Sequence, residues 1–173
     1  MDDKEIDLTG KHILLVEDND LNAEIAQTLL EDKGIKVTWA KDGLEAVMMV
    51  KENTMNCFDC ILMDIQMPRM NGFEACKVIR SLPNNRNKLP IIALTANAFE
   101  EDRKACLDAG MSEHVSKPIE IQSLLQTIES VLKIAAKVAI FNTQMSMLLK
   151  IMSMLCRNVN SSENNVNIVQ KFQ

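Results

Sequence analysis

The chain has 173 residues, of which 47% are hydrophobic and 25% are charged, a balance typical of a globular protein with a substantial core. Its net charge is uneven, because residues 1–133 carry 15 basic against 23 acidic side chains (−8), whereas residues 134–173 carry four against one (+3). The acidic main segment argues against nucleic acid as its partner, and a charged N-terminus without an apolar core predicts no secretory signal.

Five short apolar segments, typical of buried strands, alternate with segments of helical spacing. In chain order the predicted strands are 12–16, 35–39, 58–64, 91–95 and 114–116, and the predicted helices are 21–33, 98–109 and three that begin near residues 42, 72 and 119. Asp42 and Asn71 each precede a glutamate by three residues, the spacing of a capping box at a helix start. Strands and helices that alternate in this way predict parallel β-α-β units in a doubly wound α/β sheet.

The third predicted strand ends in an acid. Residues 61–72 read Ile-Leu-Met-Asp-Ile-Gln-Met-Pro-Arg-Met-Asn-Gly, an apolar run that stops at Asp64. Pro68 and the turn-forming pair Asn71-Gly72 require the chain to leave the sheet just afterwards. Open α/β sheets build their sites at the carboxyl ends of strands, so our hypothesis is that Asp64 is a nucleophile that accepts a phosphoryl group.

Four of the predicted strands end in chemically useful side chains. These are Glu17-Asp18, Asp64, Thr95 and Lys117, after the first, third, fourth and fifth strands. Because parallel strands end at the same edge of a sheet, we expect these side chains to lie close together. Three acids at one place repel one another unless a cation neutralises them, and carboxylate oxygens completed by water suit Mg²⁺.

A metal-binding acid cluster beside a lysine is what phosphoryl transfer requires, since charge on three phosphoryl oxygens has to be stabilised. Lys117 offers a positive charge, and Thr95 offers a hydroxyl donor. The sequence contains no glycine-rich nucleotide loop of the GxGxxG or GxxxxGK[ST] type, so the phosphate must come from a donor other than bound ATP. An Asp-nucleophile phosphatase of the haloacid dehalogenase type would need a second aspartate where Gln66 stands.

These residues stand in four segments that resemble the signature segments of response-regulator receiver domains, and their sequence is most similar to the receiver modules of hybrid sensor histidine kinases. The segments are 15–19 (Leu-Val-Glu-Asp-Asn), 62–68 (Leu-Met-Asp-Ile-Gln-Met-Pro), 93–96 (Ala-Leu-Thr-Ala) and 116–118 (Ser-Lys-Pro). The similarity runs from about Lys11 to Leu132. It implies a flavodoxin-like sheet with strand order 2-1-3-4-5. It also implies that Asp64 takes phosphate from a phosphohistidine on a kinase or phosphotransfer protein and loses it by slow hydrolysis.

The resemblance further implies a role for each residue of the acid pocket. Asp18, Asp64 and the backbone carbonyl of Gln66 would bind Mg²⁺, and Glu17 would hold a metal-bound water. Lys117 would pair with the phosphoryl oxygens and would be followed by a cis peptide bond to proline.

Two further residues would form the switch that the resemblance implies. Thr95 would move toward the phosphate and let the side chain at position 114 swing inward, which alters the face made by the fourth helix, the fifth strand and the fifth helix. Receiver domains commonly have tyrosine or phenylalanine at that position, whereas this chain has His114. Our hypothesis is that the imidazole makes the coupling pH-dependent. Equal affinity of the signalling state for a partner at mildly acidic and mildly alkaline pH would contradict it.

The C-terminal segment leaves two interpretations open. Residues from 124 to 156 recur at alternating steps of four and three, the a/d pattern of a coiled coil, and Asn142 is the one polar member. Flanking charges are sparse, so a methionine-rich helix packed on the domain fits nearly as well. Lys137 and Lys150 argue against a membrane span. We expect a leader at 1–10, a receiver domain at 11–133, a helical extension at 134–157 and a disordered tail at 158–173.

Five cysteines lie scattered through apolar segments, which predicts a reduced, cytoplasmic protein. Cys57-Phe-Asp-Cys60 is a lone CxxC without a second pair for zinc, so we interpret it as packing.

Two classes of function follow from these patterns. The favoured one is a phosphoaccepting switch that catalyses its own phosphorylation and dephosphorylation at Asp64. The alternative is a dimerising scaffold with a receiver fold, whose function lies in the helix over residues 120–156. A small phosphodonor discriminates between them, because an unlabelled wild-type protein would favour the scaffold.

Overall fold

The structure is a computed structural model that describes residues 6–52, 58–83, 85–96 and 100–170. The strands are β1 (His12–Val16), β2 (Lys36–Ala40), β3 (Cys60–Asp64), β4 (Ile91–Thr95) and β5 (Glu113–Ser116). The helices are α1 (Asp20–Glu31), α2 (Gly43–Glu52), α3 (Gly72–Arg80), α4 (Glu100–Asp108) and α5 (Ile121–Gln170), with a 3₁₀ turn at Arg86–Lys88. The bounds predicted for the first and fourth strands are confirmed, and the other strands begin within two residues of their predicted starts.

The five strands form one parallel sheet in the order β2-β1-β3-β4-β5. This confirms the predicted doubly wound, flavodoxin-like topology. The order reverses at β1, so that β1 and β3 are neighbours and their carboxyl ends lie side by side. In sheets of this kind the crevice at such a reversal is where ligands bind.

The central strands are buried on both faces, and successive residues belong to two separate cores. Ile13 and Leu15 of β1 pack in one core with side chains of α1 and α5. Leu14 and Val16 pack in the other core with side chains of α2 and α3. This alternation follows from the period of two along a strand, and it explains why the interior positions of these strands are all apolar.

Both predicted capping boxes take part in helix starts. At α3 the side chain of Asn71 accepts from the Glu74 N–H, and the Glu74 carboxylate accepts from the Asn71 N–H. At α2 the Asp42 carboxylate accepts from the Glu45 N–H at 2.9 Å, but the Glu45 carboxylate accepts from the N–H one residue earlier than a capping box requires. Each device satisfies backbone donors that a helix leaves unpaired at its first turn.

The chain divides into two compact units, Met1–Ala135 and Ala136–Gln173. Leu8, in the predicted leader, is buried in the core beside α1 and α5. The second unit is helical through Gln170, and every residue from 136 to 154 is exposed. The predicted division at 133 and 157 and the predicted disordered tail stay predictions.

Cys60 is fully buried at the start of β3, and its burial raises the pKa of the thiol to about 12. A thiol with that pKa is neutral at physiological pH and is a poor nucleophile or metal ligand. This fits the interpretation of Cys60 as a packing residue, while Cys57 lies outside the described residues.

Candidate active site at the carboxyl ends of the strands

Three acids meet where β1 and β3 end. Glu17 and Asp18 follow β1 directly, and Asp64 is the last residue of β3. Because Val16 is paired with Met63 in the sheet, the next residue on each strand brings Glu17 beside Asp64. One carboxylate oxygen from each of the three acids lies within 4.8 Å of the others. Glu17 and Asp64 are buried and Asp18 is exposed, so the cluster has a closed floor and an open side.

Lys117 joins this cluster from the end of β5. Its Nζ donates to Glu17 Oε2 and to Asp64 Oδ2, each at 2.6 Å. Burial by itself would lower the pKa of Lys117, but the two carboxylates outweigh it and raise the pKa, so the ammonium is charged. Three carboxylates and one ammonium leave a net negative site, and hard oxygen donors of that charge fit a divalent cation such as Mg²⁺.

Thr95 closes β4 and is buried at the same edge of the sheet. Its carbonyl accepts the Lys117 N–H at 2.7 Å, and the predicted cis peptide bond between Lys117 and Pro118 is present. The backbone of one predicted site residue therefore anchors the backbone of another.

Gln66 contacts the acid cluster, whereas His114 does not. The Gln66 N–H donates to Asp64 Oδ1 at 3.2 Å, so this residue borders the cluster. His114 pairs with Ala93, two residues before the end of β4, and its Nδ1 lies 3.2 Å from Glu113 Oε1. His114 is thus a largely covered side chain of β5 that contacts Glu113 and is separate from the acid cluster.

Trp39 supports the site in a way that sequence reasoning missed. Its indole N–H donates to the Glu17 carbonyl at 2.8 Å, while the Glu17 N–H donates to Ala40. Glu17 is further held by Asn22, whose side-chain amide donates to Glu17 Oε1 at 3.1 Å. The position of Trp39 near the end of β2 is a signal in the sequence that could have indicated this role, because β2 pairs with β1 and Trp39 then lies beside the end of β1.

The loop from β3 to α3 folds back tightly on Asp64. The Gly72 N–H donates to the Ile65 carbonyl at 3.0 Å, and a Cβ placed on Gly72 would lie only 2.3 Å from the Asp64 carbonyl oxygen. Only glycine allows such a close approach of two backbone segments. The turn predicted from Asn71-Gly72 therefore also fixes the position of Asp64.

A second attachment of the same loop was not foreseen. Arg69 forms an ion pair with Asp42, whose side chain is buried at the start of α2, and the Gly43 N–H donates to the Met70 carbonyl at 3.2 Å. Burial would raise the pKa of Asp42, but the Glu45 N–H and the Arg69 guanidinium together lower it. The sequence marked Asp42 as a helix cap, but no local pattern connects it with a partner 27 residues away.

Comparison with known proteins identifies the class to which this site belongs. Residues 13–129 match the family model described as the response regulator receiver domain. The chain belongs to this family, which confirms the resemblance drawn from its four segments.

Among curated relatives, the chain is 41% identical over 118 residues to the sensor protein GacS of Pseudomonas syringae pv. syringae, a match that covers 67% of this chain and 13% of that protein. It is 40% identical over 121 residues to the hybrid signal transduction histidine kinase I of Dictyostelium discoideum, which covers 68% of this chain and 7% of that protein. The chain therefore spans only a small part of the length of these relatives.

Two solved structures are informative. The receiver domain of the sensor histidine kinase PA1611 from Pseudomonas aeruginosa, described with a magnesium ion coordinated in its active site cleft, is 38% identical with a TM-score of 0.65 and covers 72% of this chain and 99% of its own. The second is a co-crystal structure of the Saccharomyces cerevisiae histidine phosphotransfer protein Ypd1 and the receiver domain of the response regulator Ssk1. The match has 31% identity and a TM-score of 0.62, and it covers 68% of this chain and 86% of the matched chain. Within the residues described for this chain, no helix is both long and apolar enough to cross a membrane.

Proposed function

We propose that this chain is a phosphoaccepting receiver of a two-component phosphorelay and that Asp64 is the residue that carries the phosphoryl group. The observation that supports this most strongly is the position of the Asp64 carboxylate. It lies at the end of β3, 2.6 Å from the Lys117 ammonium and within 4.8 Å of two further acids. A nucleophilic carboxylate needs such neighbours, because the incoming group is itself negatively charged.

The acid cluster fits Mg²⁺. Asp18, Asp64 and the backbone carbonyl of Gln66 would bind the ion, and Glu17 would hold a water on it. When bound, Mg²⁺ offsets the negative charge that gathers between the carboxylates and the phosphoryl oxygens. The similar PA1611 receiver domain, which is described with a magnesium ion coordinated in its active site cleft, supports Mg²⁺ as the ion that this cluster would bind.

The transfer itself follows from the chemistry of a phosphohistidine. An oxygen of Asp64 forms a bond to phosphorus while the bond between phosphorus and the imidazole nitrogen breaks, and the electron pair stays on that nitrogen. The Lys117 ammonium, already placed between Glu17 and Asp64, pairs with the phosphoryl oxygens. Attack of water on phosphorus later returns the Asp64 carboxylate and releases inorganic phosphate.

The partner we propose is a histidine kinase or a phosphotransfer protein that carries phosphohistidine. The relatives named as histidine kinases and the complex of Ypd1 with a receiver domain support this class of donor. In the phosphorylated state, the Thr95 hydroxyl would approach the phosphoryl group and the side chain of His114 would follow it. The surface of α4, β5 and α5 would change with them.

The test is covalent labelling of the full chain with phosphoramidate and Mg²⁺, followed by intact-protein mass spectrometry. The wild-type protein should gain one phosphoryl group, and Asp64→Asn should gain none. Asp59→Asn is a matched control, because Asp59 directly precedes the first residue of β3, at the other end of the strand from Asp64. Its carboxylate pairs with Lys11, away from the acid cluster. A wild-type protein that stays unlabelled, or an Asp64→Asn protein that is labelled as well as the control, would refute the proposal.

A further inference from the structure

The second unit presents an uncovered apolar helix. All residues from 136 to 154 are exposed, including Phe141 (60%), Leu149 (61%) and Met152 (60%). Helices in proteins gain most of their stability from packing of an apolar face, and a helix with such apolar surface is ordinarily covered. The structure therefore raises the question of which surface covers it.

The spacing of its side chains answers part of that question. Val138, Asn142, Met145, Leu149 and Met152 follow steps of four and three, which places Asn142 and Leu149 at heptad position a and the other three at position d. Phe141 and Leu148 occupy position g and widen this stripe on one side. A stripe of this kind is complementary to another helix that carries the same repeat.

The absence of charge beside the stripe favours a partner with the same sequence. Positions e and g within residues 138–153 hold Ala139, Phe141, Ser146, Leu148 and Ser153, and none of them is ionisable. Charged residues at these positions are what normally select a different partner chain. A single asparagine at an a position is, in turn, a device that fixes register and restricts assembly to two strands.

We propose that residues 136–154 form a parallel, two-stranded coiled coil with a second copy of this chain, in which Asn142 lies opposite its counterpart. The available area suffices. If each of the six large apolar side chains at positions a, d and g loses on the order of 80 Å², the pair buries about 1,000 Å². That is roughly the lower bound for a specific interface.

A membrane surface is a poorer match for the same helix. Helices that lie on membranes are rich in lysine and arginine on their polar face, whereas this segment has only Lys137 and Lys150. Asn142 stands in the middle of the apolar stripe, where insertion into lipid would leave its amide without water. The same asparagine gains a hydrogen-bonding partner in a symmetric dimer.

Sedimentation equilibrium of the full chain under reducing conditions tests the proposal, with Met152→Glu and Met147→Glu as a matched pair. Both methionines are 60% exposed, but Met152 is at position d and Met147 is on the opposite side at position f. The wild-type protein and Met147→Glu should be dimers of similar affinity, whereas Met152→Glu should dissociate about tenfold more readily or worse. Equal effects of the two substitutions, or a monomeric wild-type protein, would overturn the proposal.

Two further measurements make the result specific. Asn142→Val should tighten association and admit species larger than dimers, and an unchanged mass distribution would overturn the parallel arrangement. Asp64→Asn should dimerise like the wild type, which separates this inference from the proposed phosphorylation. Sedimentation with phosphatidylcholine–phosphatidylserine vesicles completes the set. A monomer that is carried down by the vesicles would show that a lipid surface covers the helix instead of a second copy.

Discussion

Replacing Gly72 with alanine should disturb both the stability of the domain and the position of Asp64. The added Cβ would lie 2.3 Å from the Asp64 carbonyl oxygen and 3.0 Å from the Ile65 Cα. Both are backbone atoms of a strand end, which cannot rotate away as a side chain can. The start of α3 or the end of β3 would have to move by about 1 Å to reach ordinary contact distances. We expect a loss of about 2–3 kcal/mol, the upper part of the range for overpacked sites.

Gly10→Ala is the matched control, because it isolates the other cost of replacing glycine. Gly10 has φ +78° and nothing within 4 Å of a Cβ, so alanine there meets only the conformational penalty of a left-handed backbone, about 1 kcal/mol. Urea denaturation followed by tryptophan fluorescence gives both values, since Trp39 is the only tryptophan in the chain.

The same fluorescence signal reports on the site, because the Trp39 indole N–H donates a hydrogen bond to the Glu17 carbonyl. Addition of Mg²⁺ should change the emission of the wild-type protein and of Gly10→Ala at similar concentrations, and Gly72→Ala should need more of the ion. If Gly72→Ala costs no more stability than Gly10→Ala and binds Mg²⁺ equally well, the close approach of Gly72 to Asp64 does not hold the site in place.

Three other predictions concern the charged residues. Asp42→Ala should cost about 1–2 kcal/mol, because a helix cap and the ion pair with Arg69 are lost together, whereas Asp42→Asn keeps a cap acceptor and should cost less in the same urea titration. The pKa of Lys117 is raised in the folded state above its usual value of 10.5. The stability that Lys117 contributes is therefore complete below pH 10.5 and is lost as the pH rises through the folded-state pKa. Lys117→Met should remove this alkaline loss of stability from the pH dependence of unfolding. Mg²⁺ at one hundred times its dissociation constant should stabilise the wild-type protein by about 2.7 kcal/mol. Asp18→Asn, a change at an exposed side chain, should abolish most of that gain while leaving the ion-free stability nearly unchanged.

The main features of the fold and the acid cluster could be predicted because they depend on local patterns. Apolar runs that end in polar residues define the strands, and parallel pairing then requires Glu17, Asp64 and Lys117 to meet at one edge. No knowledge of loop structure is needed for that step, since the register of β1 with β3 follows from the sheet itself. The family resemblance rests on the same residues, which is why both routes predict the same site.

The supports of the site could not be predicted in this way. The ion pair between Asp42 and Arg69 depends on how a loop lies across the start of another helix. Arg69 also adopts φ +63°, a left-handed conformation that is uncommon for residues other than glycine and that the sequence does not predict. The contact of Gly72 with Asp64 depends on the same loop. In the second unit, the heptad pattern predicted a helix surface, but sequence alone did not choose between a coiled coil and a packed helix.

The backbones of Glu17, Asp64 and Thr95 are held independently of the hydrogen bonds that the Glu17 and Asp64 side chains accept. The carbonyl of Glu17 accepts from Trp39, the carbonyl of Thr95 accepts from Lys117, and the carbonyl of Asp64 is closely approached by Gly72. Such anchoring holds the carboxylates close together although they repel one another, so the repulsion among the acids persists in the folded chain. Lys117 offsets part of it, and in the function that we propose the remainder would favour a divalent cation and, with that cation, a phosphoryl group. Substituting an anchor should therefore weaken binding of both, even where the carboxylates themselves are intact.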